Sequence, residues 1–136
     1  EVRLESGSLR SVNLDVCEGL RSVKFECDRL DVLQISMCVN LDKFTFTGSS
    51  LTVLNLSMLP MEELKLSAPS LEALNLNGCF RLNDSGVEYT CPALESLDIC
   101  GTEINPKHFR RGRGDGAKKI DILIGGSALD WVKNSF

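Results

Sequence analysis

The chain has 136 residues, 43% of them hydrophobic, and a net charge of −4, which is one domain's worth of polypeptide with enough apolar content for a sizeable core. No run of about 18 or more apolar residues occurs, excluding a helical membrane span, and no basic-then-apolar leader opens the sequence, so a secretory signal is not expected. Charge is unevenly spread: residues 1–106 carry 8 basic and 16 acidic side chains, whereas 107–119 carry six basic ones against Asp115 alone.

The opening Val2-Arg3-Leu4-Glu5-Ser6-Gly7-Ser8-Leu9 parallels Leu64-Lys65-Leu66-Ser67-Ala68-Pro69-Ser70-Leu71. The sequence is therefore expected to start in mid-repeat, as an excerpt or a processed product. Apolar-x-x-apolar-x-apolar then recurs at Leu9-Val12-Leu14, Leu20-Val23-Phe25, Leu30-Leu33-Ile35, Leu41-Phe44-Phe46, Leu51-Leu54-Leu56, Met61-Leu64-Leu66 and Leu71-Leu74-Leu76, with a further copy at Leu94-Leu97-Ile99. Self-similarity at a fixed period predicts a solenoid whose units bury their apolar side chains against one another.

Paired, the blocks give coils 9–29, 30–50, 51–70 and 71–93, of 21, 21, 20 and 23 residues. Those lengths are in the range of leucine-rich repeats. Each block should hold a short strand with apolar residues inward and alternate polar residues outward. Both halves of the first three coils carry the pattern, so parallel strands are expected on both sides, the nested form of the repeat.

The second half of the fourth coil, Phe80 to Pro92, lacks the block pattern, and Asp84 or Ser85 could cap a short helix turning Val87 and Tyr89 inward. The run from Leu71 to Leu94 resembles the cysteine-containing repeat of F-box/LRR proteins, with its L-x-x-L-x-L-x-x-C, L-x-D-x-G and C-P-x-L elements. Plant F-box/LRR proteins also resemble the chain in mixing such units with 10–11-residue ones. The resemblance implies an α/β leucine-rich-repeat solenoid with one helical convex segment. It also implies that the halves beginning at Leu9, Leu30, Leu51, Leu71 and Leu94 form the concave sheet.

On that sheet the outward positions form a ladder, Asn13, Gln34, Asn55, Asn75 and Asp98. It can serve as a hydrogen-bonding surface for an extended peptide, or its amides can bond one another; the second is the slightly favoured reading. The opposite sheet shows Arg3, Lys24, Thr45 and Lys65, a weakly basic stripe beside Glu5, Glu26 and Glu63.

Of six cysteines, Cys17, Cys38 and Cys79 fall three residues after the last apolar position of a block and Cys27 and Cys100 close to the same place, a recurring turn position rather than disulfide spacing. Small buried thiols in a reduced chain account for them. The expected setting is intracellular, cytoplasmic or nuclear, or an organelle if the N-terminus is processed. Sequons at Asn55 and Asn83 fall on repeat positions and do not alter this.

Beyond Pro106 the repeat stops. Arg110 to Gly116 should be an exposed loop, Lys119–Ile124 a last strand, and residues 127–136 a short helix whose Trp131 plugs the end, so that 105–136 form a basic loop and a strand-plus-helix cap on a 1–104 solenoid. Arg110, Arg111 and Arg113 make the loop a candidate contact for RNA, phosphate or an acidic partner, although Phe109 is the one aromatic beside them. Arg113-Gly114-Asp115 and Gly112-x-Gly114-x-Gly116 are read as coincidental, the glycines lying before a strand rather than between strand and helix.

No catalytic constellation is legible. His108 is the sole histidine, and the cysteines are too evenly spread for a zinc site. The sequence thus predicts a non-catalytic protein-interaction module or assembly subunit without cofactor or metal. Alternatives are the substrate-recognition part of an F-box/LRR ubiquitin-ligase receptor and, last, an RNA or phosphate binder using 107–119. Val2, Leu4, Leu9, Val12 and Leu14 predict further repeats or a neighbour over the N-terminal end.

Overall fold

The computed structural model describes residues 1–110 and 120–124. Eleven strands fall into two parallel sheets. Sheet A orders β1 (Val2–Glu5), β3 (Ser22–Glu26), β5 (Lys43–Thr47), β7 (Glu63–Ser67) and β9 (Val87–Thr90). Sheet B orders β2 (Ser11–Asn13), β4 (Val32–Gln34), β6 (Val53–Asn55), β8 (Ala73–Asn75), β10 (Ser96–Asp98) and β11 (Asp121–Leu123). The chain alternates between the sheets, so each coil lays one strand in each and the next coil stacks beside it.

The stacking follows from the block pattern. Val23, Phe44, Leu64 and Val87 register across sheet A, as do Phe25, Phe46, Leu66 and Tyr89. Across sheet B, Leu33 registers with Val12, and Leu54 with Leu74, Leu97 and Ile122 in turn. These inward columns fill a core in which Phe25, Phe44, Phe46, Leu54 and Leu64 are fully buried and, among the described residues, no polar or charged residue is buried. Short strands of three to five residues suffice because every strand between the end ones is bonded on both edges.

Corners are made by one recurring turn. The amide of Leu20 bonds the Cys17 carbonyl, and the same three-residue step links Leu30 to Cys27, Leu41 to Cys38, Leu82 to Cys79 and Leu94 to Cys91. Each cysteine sits at the inner edge of the corner, where little space is available. The Cys79 and Cys38 thiols donate to the Leu56 and Leu14 carbonyls of the preceding coil at 3.0 and 3.1 Å. A small side chain with a weak donor therefore fits better there than an apolar one of equal size.

Two expectations require correction. The chain is not an α/β protein with a helical convex segment; it is nearly all β. Where a short helix was expected, a 3-10 turn spans Asp84–Gly86, capped by the Asn83 side chain accepting from the Ser85 amide, and β9 follows at once. A single helical turn gains little, since nucleation fixes several residues for one hydrogen bond. Val87-Glu88-Tyr89-Thr90 instead alternates inward and outward and pairs along β7 from Leu64↔Val87 to Ser67↔Thr90. Coil four is longer than coil three, and the extra residues are taken up in the turn. Secondly, with sheet A completed by β9, there is no helical side from which to assign a concave sheet.

The helix that does occur is α1 (Pro106–Arg110), inside the stretch expected to be loop. It covers the outer edge of β9: the His108 Nε2 lies 2.9 Å from the Val87 carbonyl, the Tyr89 hydroxyl donates to the His108 carbonyl, and the Phe109 ring stacks 4.5 Å from that of Tyr89. Sheet B continues instead into β11, which registers Ser96↔Asp121 and Asp98↔Leu123. The expected loop at 111–119, with Arg111 and Arg113, and the expected helix at 127–136, with Trp131, lie outside the described residues. Among the described residues no helix is long and apolar enough to cross a membrane.

Leu54 tests the core. Its side chain is fully buried in the middle of sheet B, and an aspartate there places an unpaired charge in a dry coil interior, at a cost comparable with a domain's whole stability of about 5–15 kcal/mol. Leu54→Asp is expected to abolish the cooperative thermal transition seen by circular dichroism; a variant that keeps it would show that the coil interior is misassigned.

Candidate functional site

The positions flanking each inward residue of sheet B point to solvent. Asn13, Gln34, Asn55, Asn75 and Asp98 stand in one register row, linked pairwise from Asn13↔Gln34 to Asn75↔Asp98. What orients them is neither solvent nor, for most of the row, each other. The Asn55 Oδ1 accepts from the Ser57 amide at 3.0 Å, the Asn75 Oδ1 from the Asn77 amide at 2.8 Å, the Asn13 Oδ1 from the Asp15 amide and an Asp98 carboxylate oxygen from the Cys100 amide. Each side chain thus bonds its own backbone two residues on, which starts the turn out of the strand. Gln34, one methylene longer, has no such bond; its Oε1 instead accepts from the Asn13 side-chain NH2 at 3.2 Å.

This local bonding fixes the chemistry each rung presents. With its oxygen engaged, Asn55 or Asn75 aims its NH2 group outward, and neither NH2 donates to any other described residue. Asp98 is held at both oxygens, the second accepting from the Asn77 side chain at 3.3 Å. The row therefore offers two oriented donors followed by an oriented carboxylate. A depression of about 330 Å³ lies over these rungs, lined by Val53, Asn55, Asn75, Ser96, Asp98 and Leu123. A second, of about 260 Å³, lies between Gln34, Asn55 and Asp15.

Three positions past each rung the backbone enters the left-handed region: Val16 at φ 60°, Met37 at 54°, Met58 at 62°, Gly78 at 74° and Gly101 at 73°. The coil bonds straight through these corners, Val16 to Ser36, Met58 to Asn77 and Gly78 to Cys100, and this holds three side chains in a conformation that ordinarily favours glycine. Val16, Met37 and Met58 consequently project from the corner, 59–71% exposed. Met58 lies over Gly78, where a side chain would collide with its sulfur.

Sheet A presents a different surface. Its outward residues include Arg3, Lys24, Lys43 and Lys65 with Glu5, Glu26, Glu63 and Glu88, equal numbers of each sign. Much of that charge is internally matched: Lys24 reaches Glu26 at 3.2 Å, Arg3 reaches Glu26 at 3.8 Å and Lys43 reaches Glu63 at 3.8 Å. Glu26 is accordingly held below the usual carboxylate range, chiefly by its bond from Lys24. The weakly basic stripe expected here is thus balanced by carboxylates on the same strands. Sheet B's strands, in contrast, carry no outward lysine or arginine and two carboxylates, Asp98 and Asp121, both at the β10–β11 end.

Cys27, Cys38, Cys79 and Cys91 are buried in the core, and Cys17 and Cys100 are partly exposed. Burial pushes Cys79 up to about 11, and burial followed by the neighbouring Asp98 carboxylate pushes Cys100 up to about 11. Both therefore remain protonated at neutral pH, the state least suited to nucleophilic or metal-ligating roles. Among the described residues no three His, Cys, Asp or Glu side chains converge as metal ligands. Of the basic candidates, Arg110 closes α1, while Arg111 and Arg113 lie outside the described residues. The recurring corner was legible from the cysteines, but its positive φ and the side-chain bonds that start it were missed, although their signal was present: Asn, Gln or Asp at the rung and valine, methionine or glycine three residues on.

Comparison with protein-family models, with curated proteins and with solved structures finds no match. The site is accordingly read from its own chemistry.

Two measurements check these assignments. Val16→Gly is expected to stabilise the protein by roughly 1 kcal/mol, because it relieves a β-branched side chain at positive φ. Gly78→Ala should cost about as much, and equal urea midpoints for the two variants would contradict the corner geometry. The raised Cys79 value makes a separate prediction. The folded state holds the thiol proton more tightly than the unfolded chain, so this contribution is complete below about pH 9 and is lost as pH rises through about 11. Unfolding free energy should drop by roughly 2–3 kcal/mol over that window, and Cys79→Ala should flatten the decline; an unchanged slope would remove Cys79 as its source.

Proposed function

We propose that the protein is a non-catalytic binding module, and that sheet B takes an extended polypeptide segment of a partner across its outward face. The observation that carries this reading is the row of Asn55, Asn75 and Asp98, each oriented by a bond to its own backbone, with the amide donors left facing a depression. Groups fixed before contact lose little freedom on binding, which favours recognition by hydrogen bonds. Short flanking side chains (Ala73, Ser96, Val53) let another backbone approach closely. Sheet A is less suited, since its long charged side chains already pair with one another.

The resemblance of the strand halves to leucine-rich repeats supports the same reading, because such coils commonly present one strand face to a protein partner. Within it, recognition of a ubiquitin-ligase substrate is the setting implied by the likeness of Leu71–Leu94 to F-box/LRR coils. An intracellular setting fits six cysteines that form no disulfide.

Selection of a displayed random-peptide library on the native protein, followed by 15N NMR titration, tests the proposal. Selected peptides are expected to shift the side-chain NH2 resonances of Asn55 and Asn75 and to lose affinity about tenfold in the Asn55→Ala, Asn75→Ala double variant. Shifts confined to Lys24, Thr45 and Lys65 would move the interface to sheet A and overturn it.

A further inference from the structure

Given sheet B as the binding face, we infer that its occupant is a basic segment in the polyproline II conformation, running across β6, β8 and β10 with a lysine or arginine side chain on Asp98. This rests on the proposed function and names the partner's chemistry. Three features of the face point to it.

Spacing comes first. Neighbouring strands stand about 4.8 Å apart, so Asn55 and Asp98, two rungs apart, are separated by about 9.6 Å along the sheet. A polyproline II helix repeats every three residues, or about 9.3 Å. Residues three apart on such a segment therefore fall two rungs apart, so a residue whose carbonyl meets Asn55 is followed one turn on by a residue whose side chain reaches Asp98. A β-strand laid the same way repeats every two residues, about 6.6–6.8 Å, and matches neither one rung nor two.

Hydrogen bonding comes next. Polyproline II has no internal hydrogen bonds, so its carbonyls are available to outside donors. Sheet B supplies such donors at Asn55 and Asn75, whose oxygens are already occupied by the Ser57 and Asn77 amides. A segment rich in proline, poor in backbone donors, suits a row that offers NH2 groups and few acceptors.

Charge gives the sign. The outward positions of sheet B hold no lysine or arginine, and its two carboxylates, Asp98 and Asp121, lie at one end, with Asp121 in register with Ser96 two residues before Asp98. The Asp98 carboxylate is pre-positioned by the Cys100 amide and the Asn77 side chain. A cation arriving there meets a fixed acceptor on strands that carry no outward lysine or arginine among the described residues. The same distribution is unfavourable to a phosphate backbone lying along these strands.

Fluorescence anisotropy with three labelled peptides of about nine residues tests the proposal. One is proline-rich with lysines, one proline-rich with glutamates at the same places, and one glycine/serine-rich with the same lysines. The basic proline-rich peptide is expected to bind about tenfold tighter than either control. Asp98→Asn should remove most of that advantage while preserving the melting transition, because asparagine keeps the oxygen that accepts from the Cys100 amide. Equal binding of the acidic peptide overturns the charge assignment, and equal binding of the glycine/serine peptide overturns the conformation; both leave peptide binding on sheet B standing. Failure of all three peptides at millimolar concentration, with a library-selected peptide still binding the ladder, overturns this inference alone. If the library also yields no ladder binder, the proposed function falls with it.

Discussion

Everything in this protein depends on hydrogen bonds between a coil and the coil beside it, held in register across 20 to 25 residues of sequence. Once that register is set, identical positions stack into columns, and a residue chosen for one coil meets its counterpart in the next. Apolar columns then close the core without a helix, and polar columns become surfaces. The register is maintained even through the corners, where bonds such as Met58 to Asn77 persist at positive φ. The strain of Val16, Met37 and Met58 is local and is offset by bonds that continue the ladder.

Stacking also explains why the two faces differ in kind. On sheet A, long charged side chains on adjacent strands reach one another, and the surface satisfies itself in exposed ion pairs worth little individually. On sheet B, the outward rung is a short amide or carboxylate engaged by its own turn. The interaction that builds the corner therefore also fixes the surface: the oxygen goes to the backbone and the nitrogen is left facing out. Structure and binding chemistry share the same atoms at Asn55 and Asn75.

Much of this was legible in the chain. The spacing of Leu51, Leu54 and Leu56 and its seven repetitions identified a solenoid, its coil lengths and the row Asn13 to Asp98. The cysteine positions identified a recurring corner. Two features were not legible. Asp84-Ser85-Gly86 carries a helix-start signal, yet the free edge of β7 offers Val87–Thr90 four paired residues, more than one helical turn provides; tertiary pairing overrode a local cap. The amide row, in turn, read as a choice between binding a peptide and self-bonding. Within the row only Asn13 and Gln34 bond each other. Asn13 holds its own backbone too, but Gln34 alone leaves its oxygen free for a neighbour, while an oxygen each of Asn55, Asn75 and Asp98 is taken by its own turn, a difference of side-chain length that a ladder pattern does not reveal.

The coil register is tested most directly by interstrand NOEs in uniformly 13C,15N-labelled protein. Parallel stacking predicts backbone contacts between Phe44 and Leu64, between Leu64 and Val87, and between Leu54 and Leu74, all between strands running in the same direction. Sequential helical contacts from residue i to i+3 through 84–90, or antiparallel contacts between neighbouring blocks, would contradict it.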